Sequence, residues 1–322
     1  MRLLLTGSNG FVGGRIAALA LARGWEVVGV GRAETPGKVV SSYRRHDLSL
    51  SLDFTERVDA VVHCAALAAP WAAPRAFRAA NVEATRNVLD WAARQGAPPF
   101  IYISSSSVFY RNADQLGLTE ESPIPPAGEQ INEYSRTKRI GEELTAAYPG
   151  SWAILRPRAV FGPGDTVLLP RIVEAARRGK LPVFTRRDGQ AVQADLIYVD
   201  NVAHYTLEAL VRAVSGAYNL TNGEPVSLYP FLFDLLARLG QPRPTRRLPV
   251  GVAMALAGLA EGVSALFLGY REPPVTRFGV SVFAYSKTFD VEKCRRDLGP
   301  PPVSLAEGVE RVVAAWREAG GA

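Results

Sequence analysis

The sequence predicts an α/β fold in which a doubly wound parallel sheet is followed by a smaller C-terminal region. Short apolar strands alternate with helical stretches up to about residue 160. A glycine-rich turn directly follows the first strand and opens the first helix. Beyond residue 162 the alternation loosens, which indicates elements added to the sheet rather than a continuation of it.

The first unit of this fold begins with an apolar strand at residues 2–6, followed by a turn with glycines at 7, 10 and 13. A helical stretch then runs to about Arg23, where Gly24 ends it, and residues 25–31 form the second strand. Glycines let the backbone turn tightly and approach a pyrophosphate, and the helix N-terminus offers free N–H groups and a positive dipole. The order therefore predicts a Rossmann-type dinucleotide site.

Further strands are predicted ahead of Asp47 and near residues 59–64, 100–104 and 152–156, each joined to the next by a right-handed crossover. The loop at 110–130 holds several prolines and acidic residues and is predicted to be irregular. Residues 1–162 are predicted to form the nucleotide-binding core, to which 192–222 return. Residues 163–191 and 223–322 are predicted to form a substrate-binding region.

Tyr134 and Lys138 stand four residues apart on a predicted helix, so both side chains lie on one face. A lysine ammonium beside a phenol favours the phenolate and lowers the tyrosine pKa from about 10. Such a tyrosine can transfer a proton near neutral pH. The spacing alone is common on exposed helices, and it gains weight from the glycine turn earlier in the chain.

Composition excludes several classes of function. The chain has 322 residues, 48% of them hydrophobic, which is enough for a large core without disordered tracts. With only Cys64 and Cys294, no disulfide framework is expected, and a cytoplasmic location is predicted. The three histidines lack ligand spacing, so no metal site is predicted, and His63 is expected to be a core residue.

The net charge of +6 comes from short arginine runs scattered along the chain. These runs lack interleaved aromatic residues, so no nucleic-acid partner is predicted. A basic cleft that attracts a phosphorylated cofactor accounts for the charge better.

The turn at residues 6–13 and the Tyr134–Lys138 spacing resemble the extended short-chain dehydrogenase/reductase family. Residues 61–66, 81–85, 100–109 and 155–164 resemble further motifs of that family in the same order. Residues 199–204 and 285–290 are most similar to its 3β-hydroxysteroid dehydrogenase-like branch. The resemblance covers nearly the whole chain and implies an NAD(P)-dependent enzyme acting on CH–OH groups.

The resemblance also implies roles for individual residues. Tyr134 would exchange a proton with the substrate oxygen, Ser105 would orient that oxygen, and Lys138 would hold the nicotinamide ribose. Ser106 and Ser107 are the alternatives to Ser105. The implied cofactor contacts are Gly7, Asn9, Gly10, Phe11, Val12, Gly13, Arg32, Asp47, Leu48, Ala65, Ala66, Asn81, Tyr134, Lys138, Pro157 and Val160.

The end of the second strand predicts a preference for NADP(H). Gly31 stands where NAD-specific members of this fold carry an acidic residue, and Arg32 follows it. Glycine removes the repulsion toward a 2′-phosphate, and a guanidinium can pair with that phosphate. Glu34, two residues on, leaves NAD(H) open as the alternative cofactor.

Segment 250–268 is almost wholly apolar, with one charge at Glu261. Three interpretations are open: a helix that lines an apolar substrate pocket, a membrane-surface helix, and a core helix. The first predicts an enzyme that interconverts a secondary alcohol and a ketone on a hydrophobic, steroid-like or long-chain substrate. Its partner is then a small apolar molecule, with a homodimer and membrane association left open.

Two other functions are weighed against this one. A nucleotide-sugar epimerase or dehydratase is the alternative within enzymes. The dehydratase form usually needs an acidic residue beside the active-site serine, and Ser106 follows Ser105 instead. A non-catalytic NAD(P)-sensing regulator is the alternative outside enzymes, and the intact Tyr134 and Lys138 argue against it.

Overall fold

The computed structural model describes residues 1–37 and 39–320 as strands and helices in alternation, followed by a helix-rich C-terminal part. The strands are β1 (Arg2–Thr6), β2 (Glu26–Gly31), β3 (Ser42–Arg45), β4 (Ala60–His63), β5 (Phe100–Ile103), β6 (Gln115–Leu118), β7 (Trp152–Pro157), β8 (Val160–Phe161), β9 (Val183–Thr185), β10 (Gln193–Ala194), β11 (Ile197–Tyr198), β12 (Gly216–Leu220), β13 (Val226–Ser227), β14 (Arg247–Pro249) and β15 (Lys287–Phe289).

The helices are α1 (Phe11–Ala22), α2 (Pro74–Phe77), α3 (Ala84–Arg94), α4 (Glu133–Ala146), α5 (Leu169–Arg177), α6 (Val199–Val211), α7 (Leu228–Arg238), α8 (Val250–Phe267), α9 (Arg277–Ala284), α10 (Glu292–Leu298) and α11 (Leu305–Glu318). A π-helical segment at Arg78–Glu83 joins α2 to α3, and 3₁₀ turns lie at Ser106–Phe109 and Ala127–Glu129.

Seven strands form one parallel sheet in the order β12-β7-β5-β4-β1-β2-β3. The chain turns outward in opposite directions from β1 and β4, so a crevice opens outside the carboxyl ends of these two strands, where doubly wound folds bind ligands. The doubly wound parallel sheet that the sequence predicts is confirmed.

The inner strands β1, β2, β4 and β5 are mainly apolar because helices cover both faces of the sheet, whereas the edge strand β3 is polar and mostly exposed. Leu3 and Leu5 pack in one fully buried cluster with residues of α1 and α6, while Leu4 packs on the opposite face with residues of α3. Successive side chains of a strand point to opposite faces. The core therefore lies in two layers, one on each side of the sheet.

Smaller sheets lie beyond the carboxyl edge of the main sheet. They have the orders β13-β10-β15-β6, β11-β8 and β14-β9. The returning segment 192–222 contributes β12 to the main sheet and β10 to the four-stranded one. The division into a core and a substrate-binding region stays a prediction.

The loop at 110–130 is less irregular than expected, because it contains β6 and a 3₁₀ turn. Strand β6 pairs with β15, and Gly117 N donates to Thr288 Oγ1 at 2.9 Å across 171 positions of sequence. A strand whose only partner lies so far along the chain gives no local signal.

Helix α8 lies on the surface, and the interpretation that segment 250–268 lines a substrate pocket stays a prediction. By length and composition it could cross a membrane, but only 22% of it is buried. Its small residues Ala253 and Ala257 pack with side chains of α9. The large side chains on the other face are exposed: Val252, Leu256, Leu259, Val263, Leu266, Phe267 and Leu268. The core-helix interpretation is wrong because these side chains are exposed.

Candidate active site

The glycine turn between β1 and α1 brings its backbone against the end of β4. Gly7 has φ +72°, and a Cβ built there would lie 2.8 Å from Ala65 N. A Cβ at Gly13 would lie 2.1 Å from Gly7 O, so no larger residue fits. The residue before α1, Gly10, makes no side-chain cap, which leaves the first N–H groups of the helix available. The turn therefore fits a dinucleotide pyrophosphate.

The carboxyl ends of β2 and β3 border a cavity of about 350 Å³, which is lined by Arg32, Arg45, His46 and Asp47. Arg32 and Asp47 were predicted from sequence, whereas Arg45 and His46 were missed. Their position at the end of β3 is the sequence feature that could have identified them as residues of this cavity. Hydrogen bonds from Ser49 hold the pKa of Asp47 below its usual range.

The end of β2 lies against the Tyr43 side chain. A Cβ on Gly31 would lie 2.9 Å from the Tyr43 hydroxyl. Asn9 ties the glycine turn to this region, because its Oδ1 accepts from Gly37 N at 2.9 Å. Leu48 is buried, and its carbonyl accepts from Asn87 Nδ2 at 2.9 Å.

The floor of the crevice is a buried polar cluster at the end of β4. His63 Nδ1 lies 2.7 Å from Thr6 Oγ1 and its Nε2 lies 3.0 Å from Thr85 Oγ1. Burial lowers the pKa of His63 to about 3, which keeps the ring neutral. The prediction of a core histidine is confirmed. Thr6 Oγ1 also accepts from Ala65 N at 3.1 Å, which holds the 64–66 segment that includes Ala66.

Asn81 is buried and has a structural role, holding two segments together by hydrogen bonds rather than carrying a proton. Its Oδ1 accepts from Leu67 N at 2.7 Å, and its Nδ2 donates to Thr137 Oγ1 at 3.0 Å. It thereby joins the segment after β4 to helix α4. The other predicted cofactor residues lie around the same crevice: Phe11 and Val12 are half-buried in the first turn of α1, Pro157 ends β7, and half-buried Val160 begins β8.

Tyr134 lies in the first turn of α4, which begins after Asn132; the Asn132 side chain accepts from Ser135 N at 2.8 Å. The Ser105 side chain lies close enough to the Tyr134 hydroxyl to act on its pKa, which it lowers as a hydrogen-bond donor. Ser105 also accepts from Ser107 N at 3.2 Å, as the residue that begins the 3₁₀ turn after β5.

The other serines of the run are directed elsewhere. Ser104 donates to Glu142 at 2.6 Å, and Ser106 lies 3.3 Å from the Tyr110 hydroxyl. The hydroxyl of Ser107 is buried without a partner among the residues described. Of the four, Ser105 is the one that meets Tyr134.

The electrostatics of the pair differ from the expectation. Burial raises the pKa of Tyr134 to about 12, and burial lowers the pKa of Lys138 to about 8. Lys138 Nζ donates to Ile103 O at 2.7 Å and lies 4.8 Å from the centroid of the Tyr102 ring. In the free protein, the cost of removing the phenolate from water outweighs any help from the ammonium. The phenol is therefore protonated at neutral pH.

Sequence reasoning missed the ion pair beneath this site. Arg156 donates twice to Glu142, from Nε and Nη2, each at 2.9 Å, and both side chains are almost fully buried. Glu142 lies one turn beyond Lys138 on α4. Two sequence features could have identified this ion pair. Glu142 lies four residues after Lys138, and Arg156 is a charged residue inside an apolar strand.

Comparison with known proteins gives consistent matches. The family model described as "NAD dependent epimerase/dehydratase family" matches residues 3–221. A 2-alkyl-3-oxoalkanoate reductase from Stenotrophomonas maltophilia is 33% identical over 98% of this chain and 99% of its own length. The human sterol-4-alpha-carboxylate 3-dehydrogenase, decarboxylating, is 29% identical over 98% of this chain and 88% of its own.

Solved structures share the fold. MoeE5 in complex with UDP-glucose and NAD superposes with a TM-score of 0.75 at 23% identity, over 99% of both chains. At this identity the likeness extends to the fold alone.

Proposed function

Because this chain belongs to the NAD-dependent epimerase/dehydratase family, among the extended short-chain dehydrogenase/reductases, we propose that it interconverts a secondary alcohol and a ketone on a hydrophobic substrate. The observation that carries the proposal is the position of the Ser105 side chain beside the Tyr134 hydroxyl, one helical turn from Lys138. Two hydroxyls that meet at one point can bind a single substrate oxygen between them.

In this reaction Tyr134 donates its proton to the ketone oxygen or accepts it from the alcohol. Ser105 hydrogen-bonds the same oxygen and orients it. Lys138, anchored at Ile103 O, would hold the ribose of the cofactor. Bound NAD(P) supplies the hydride chemistry. A phenol with its pKa at about 12 remains protonated through the neutral range, which suits proton donation during reduction.

The proposal of a hydrophobic substrate is supported mainly by the names of the relatives. The bacterial relative is named for alkyl-chain oxo acids and the human one for a sterol carboxylate. Half-buried Ile131, Phe278 and Val282 pack against the core that holds Tyr110 and Val108. A nucleotide-sugar substrate remains the second candidate because proteins of this fold bind one.

The test of substrate class compares UDP-sugars with long-chain and steroid-like ketones and alcohols, by binding and by turnover with cofactor. We expect turnover of the apolar set, with affinity rising as the chain lengthens, because each buried CH₂ contributes ~0.8 kcal/mol. Micromolar binding of UDP-sugars without any response to the apolar compounds would overturn the proposal.

We also propose that the cofactor is NADP(H) in preference to NAD(H). Arg32 and Arg45 line the cavity where a 2′-phosphate would lie, and the Tyr43 hydroxyl crowds the position of an NAD-type acid. The Arg45 guanidinium lies 3.4 Å from the Glu34 carboxylate, which would compete with a phosphate for binding to it. The two guanidiniums together favour a phosphate over free ribose hydroxyls.

For Arg32→Ala we expect kcat/KM for NADP(H) to fall at least about 10-fold, the loss of one hydrogen bond to a charged group, with NAD(H) use almost unchanged. Steady-state kinetics with both cofactors measure this. Arg317→Ala, which removes an exposed arginine from α11, is the matched control. A wild type that favours NAD(H), or an equal loss with both cofactors, would contradict the preference.

A further inference from the structure

We propose that Arg158 binds a carboxylate of the substrate, so that the preferred substrates are apolar hydroxy or oxo acids whose carboxylate lies near the reacting carbon. This inference rests on the proposed alcohol–ketone chemistry and names the substrate class more narrowly. It starts from a buried guanidinium that the protein itself leaves unpaired.

Arg158 is only 5% exposed, and its Nε is buried without a hydrogen-bond partner. Within residues 1–37 and 39–320, its guanidinium takes part in no hydrogen bond and no ion pair. The guanidinium stacks on Tyr110, 5.3 Å from the ring centroid, and its charge acts on the nearby Asp195 and Lys287. Burying an unpaired charge costs several kcal/mol, and an external anion would offset that cost.

The position of Arg158 connects it to the reacting atoms. It directly follows β7, whose neighbour β5 leads into Ser105. Its guanidinium lies over the Tyr110 ring, whose hydroxyl lies 3.3 Å from Ser106. Tyr110 is close enough to Tyr134 to act on its pKa through its charge. Tyr110 therefore connects the guanidinium to the catalytic phenol, and the proposal requires one ligand to reach both.

The charge around Arg158 suits a monoanion. Lys287 is fully buried, with Nζ donating to Ala113 O at 2.6 Å, and burial lowers its pKa to about 7. Asp195 accepts from Phe289 N at 2.7 Å and keeps its other oxygen unpartnered. Burial raises the pKa of Asp195 to about 6. The three groups sum to no more than a single positive charge, which matches one carboxylate and falls short of a diphosphate.

The surroundings beyond Tyr110 are apolar. Phe278 stacks on the Tyr110 ring with centroids 6.2 Å apart, and half-buried Val282 follows it on α9. A ligand with its carboxylate on Arg158 would therefore extend its hydrocarbon part along α9. This arrangement predicts an amphiphilic acid in place of a neutral ketone.

The experiment uses a long-chain 3-hydroxy fatty acid and its methyl ester, oxidised by the wild type, Arg158→Met and Arg158→Lys. Methionine keeps the apolar stem and removes the charge, whereas lysine keeps the charge. We expect the wild type to prefer the acid by about 10- to 100-fold in kcat/KM, mostly through KM. In Arg158→Met the kcat/KM for the acid should fall toward the value for the ester, so that the preference is lost, and Arg158→Lys should recover part of it.

Each other outcome overturns a defined part of the argument. Equal loss on acid and ester in Arg158→Met, with an unchanged unfolding midpoint, means that Arg158 has a structural role. A wild type that oxidises both compounds equally well contradicts the carboxylate site and leaves the alcohol–ketone chemistry standing. No oxidation of either, together with UDP-sugar binding that Arg158→Met abolishes, assigns the guanidinium to a diphosphate and defeats both proposals.

Discussion

Replacing Tyr134 with phenylalanine is expected to reduce kcat by at least ~10²-fold, the range that general acid–base catalysis contributes. The substitution removes the hydroxyl that meets Ser105 and keeps the ring that fills the site. Because the proton route is lost and the packing is not, cofactor affinity and the unfolding midpoint should stay close to those of the wild type. Steady-state kinetics and cofactor titration measure the two effects separately.

Tyr148→Phe is the matched control for this variant. The Tyr148 hydroxyl donates to Pro98 O at 2.9 Å in a buried cluster away from Ser105, so its loss should lower stability slightly and leave kcat unchanged. If Tyr134→Phe retains more than a tenth of the wild-type kcat, another group carries the proton.

Glu142→Ala is expected to lower the free energy of unfolding by about 3–5 kcal/mol, because it leaves the Arg156 guanidinium buried and unpaired. The same change removes the acceptor of the Ser104 hydroxyl. Denaturant unfolding at fixed pH measures the loss. Glu142 lies one turn after Lys138, so we also expect turnover to fall as the lower part of the site loosens.

The neighbouring Glu143→Ala supplies the comparison. Glu143 is half exposed and pairs with Arg139 one turn away on the surface of α4, an interaction worth about 0.5 kcal/mol or less. A paired substitution, Glu142→Leu with Arg156→Met, should recover much of the lost stability, since apolar side chains can replace a buried ion pair. Similar losses for Glu142→Ala and Glu143→Ala would show that the buried pair contributes little.

The part of the site that sequence predicted consists of local spacings. The four-residue step from Tyr134 to Lys138 requires only one helix, and the glycines at 7, 10 and 13 require only one turn. His63 was correctly assigned to the core from the apolar strand around it. The serine assigned to the site, Ser105, is also the one the structure directs at Tyr134, because the 3₁₀ turn after β5 sends its neighbours elsewhere.

By itself, then, the sequence determined the parallel sheet, the glycine turn, the family and the placement of Tyr134 and Lys138 on one helix, since each depends on residues close together in the chain. Only the tertiary structure decided the protonation of Tyr134, the isolation of Arg158 and the surface position of α8. The physical reason is that pKa values and burial depend on which groups from distant segments exclude water or offer a partner. The spacing of residues along the chain does not show which groups lose contact with water in the fold.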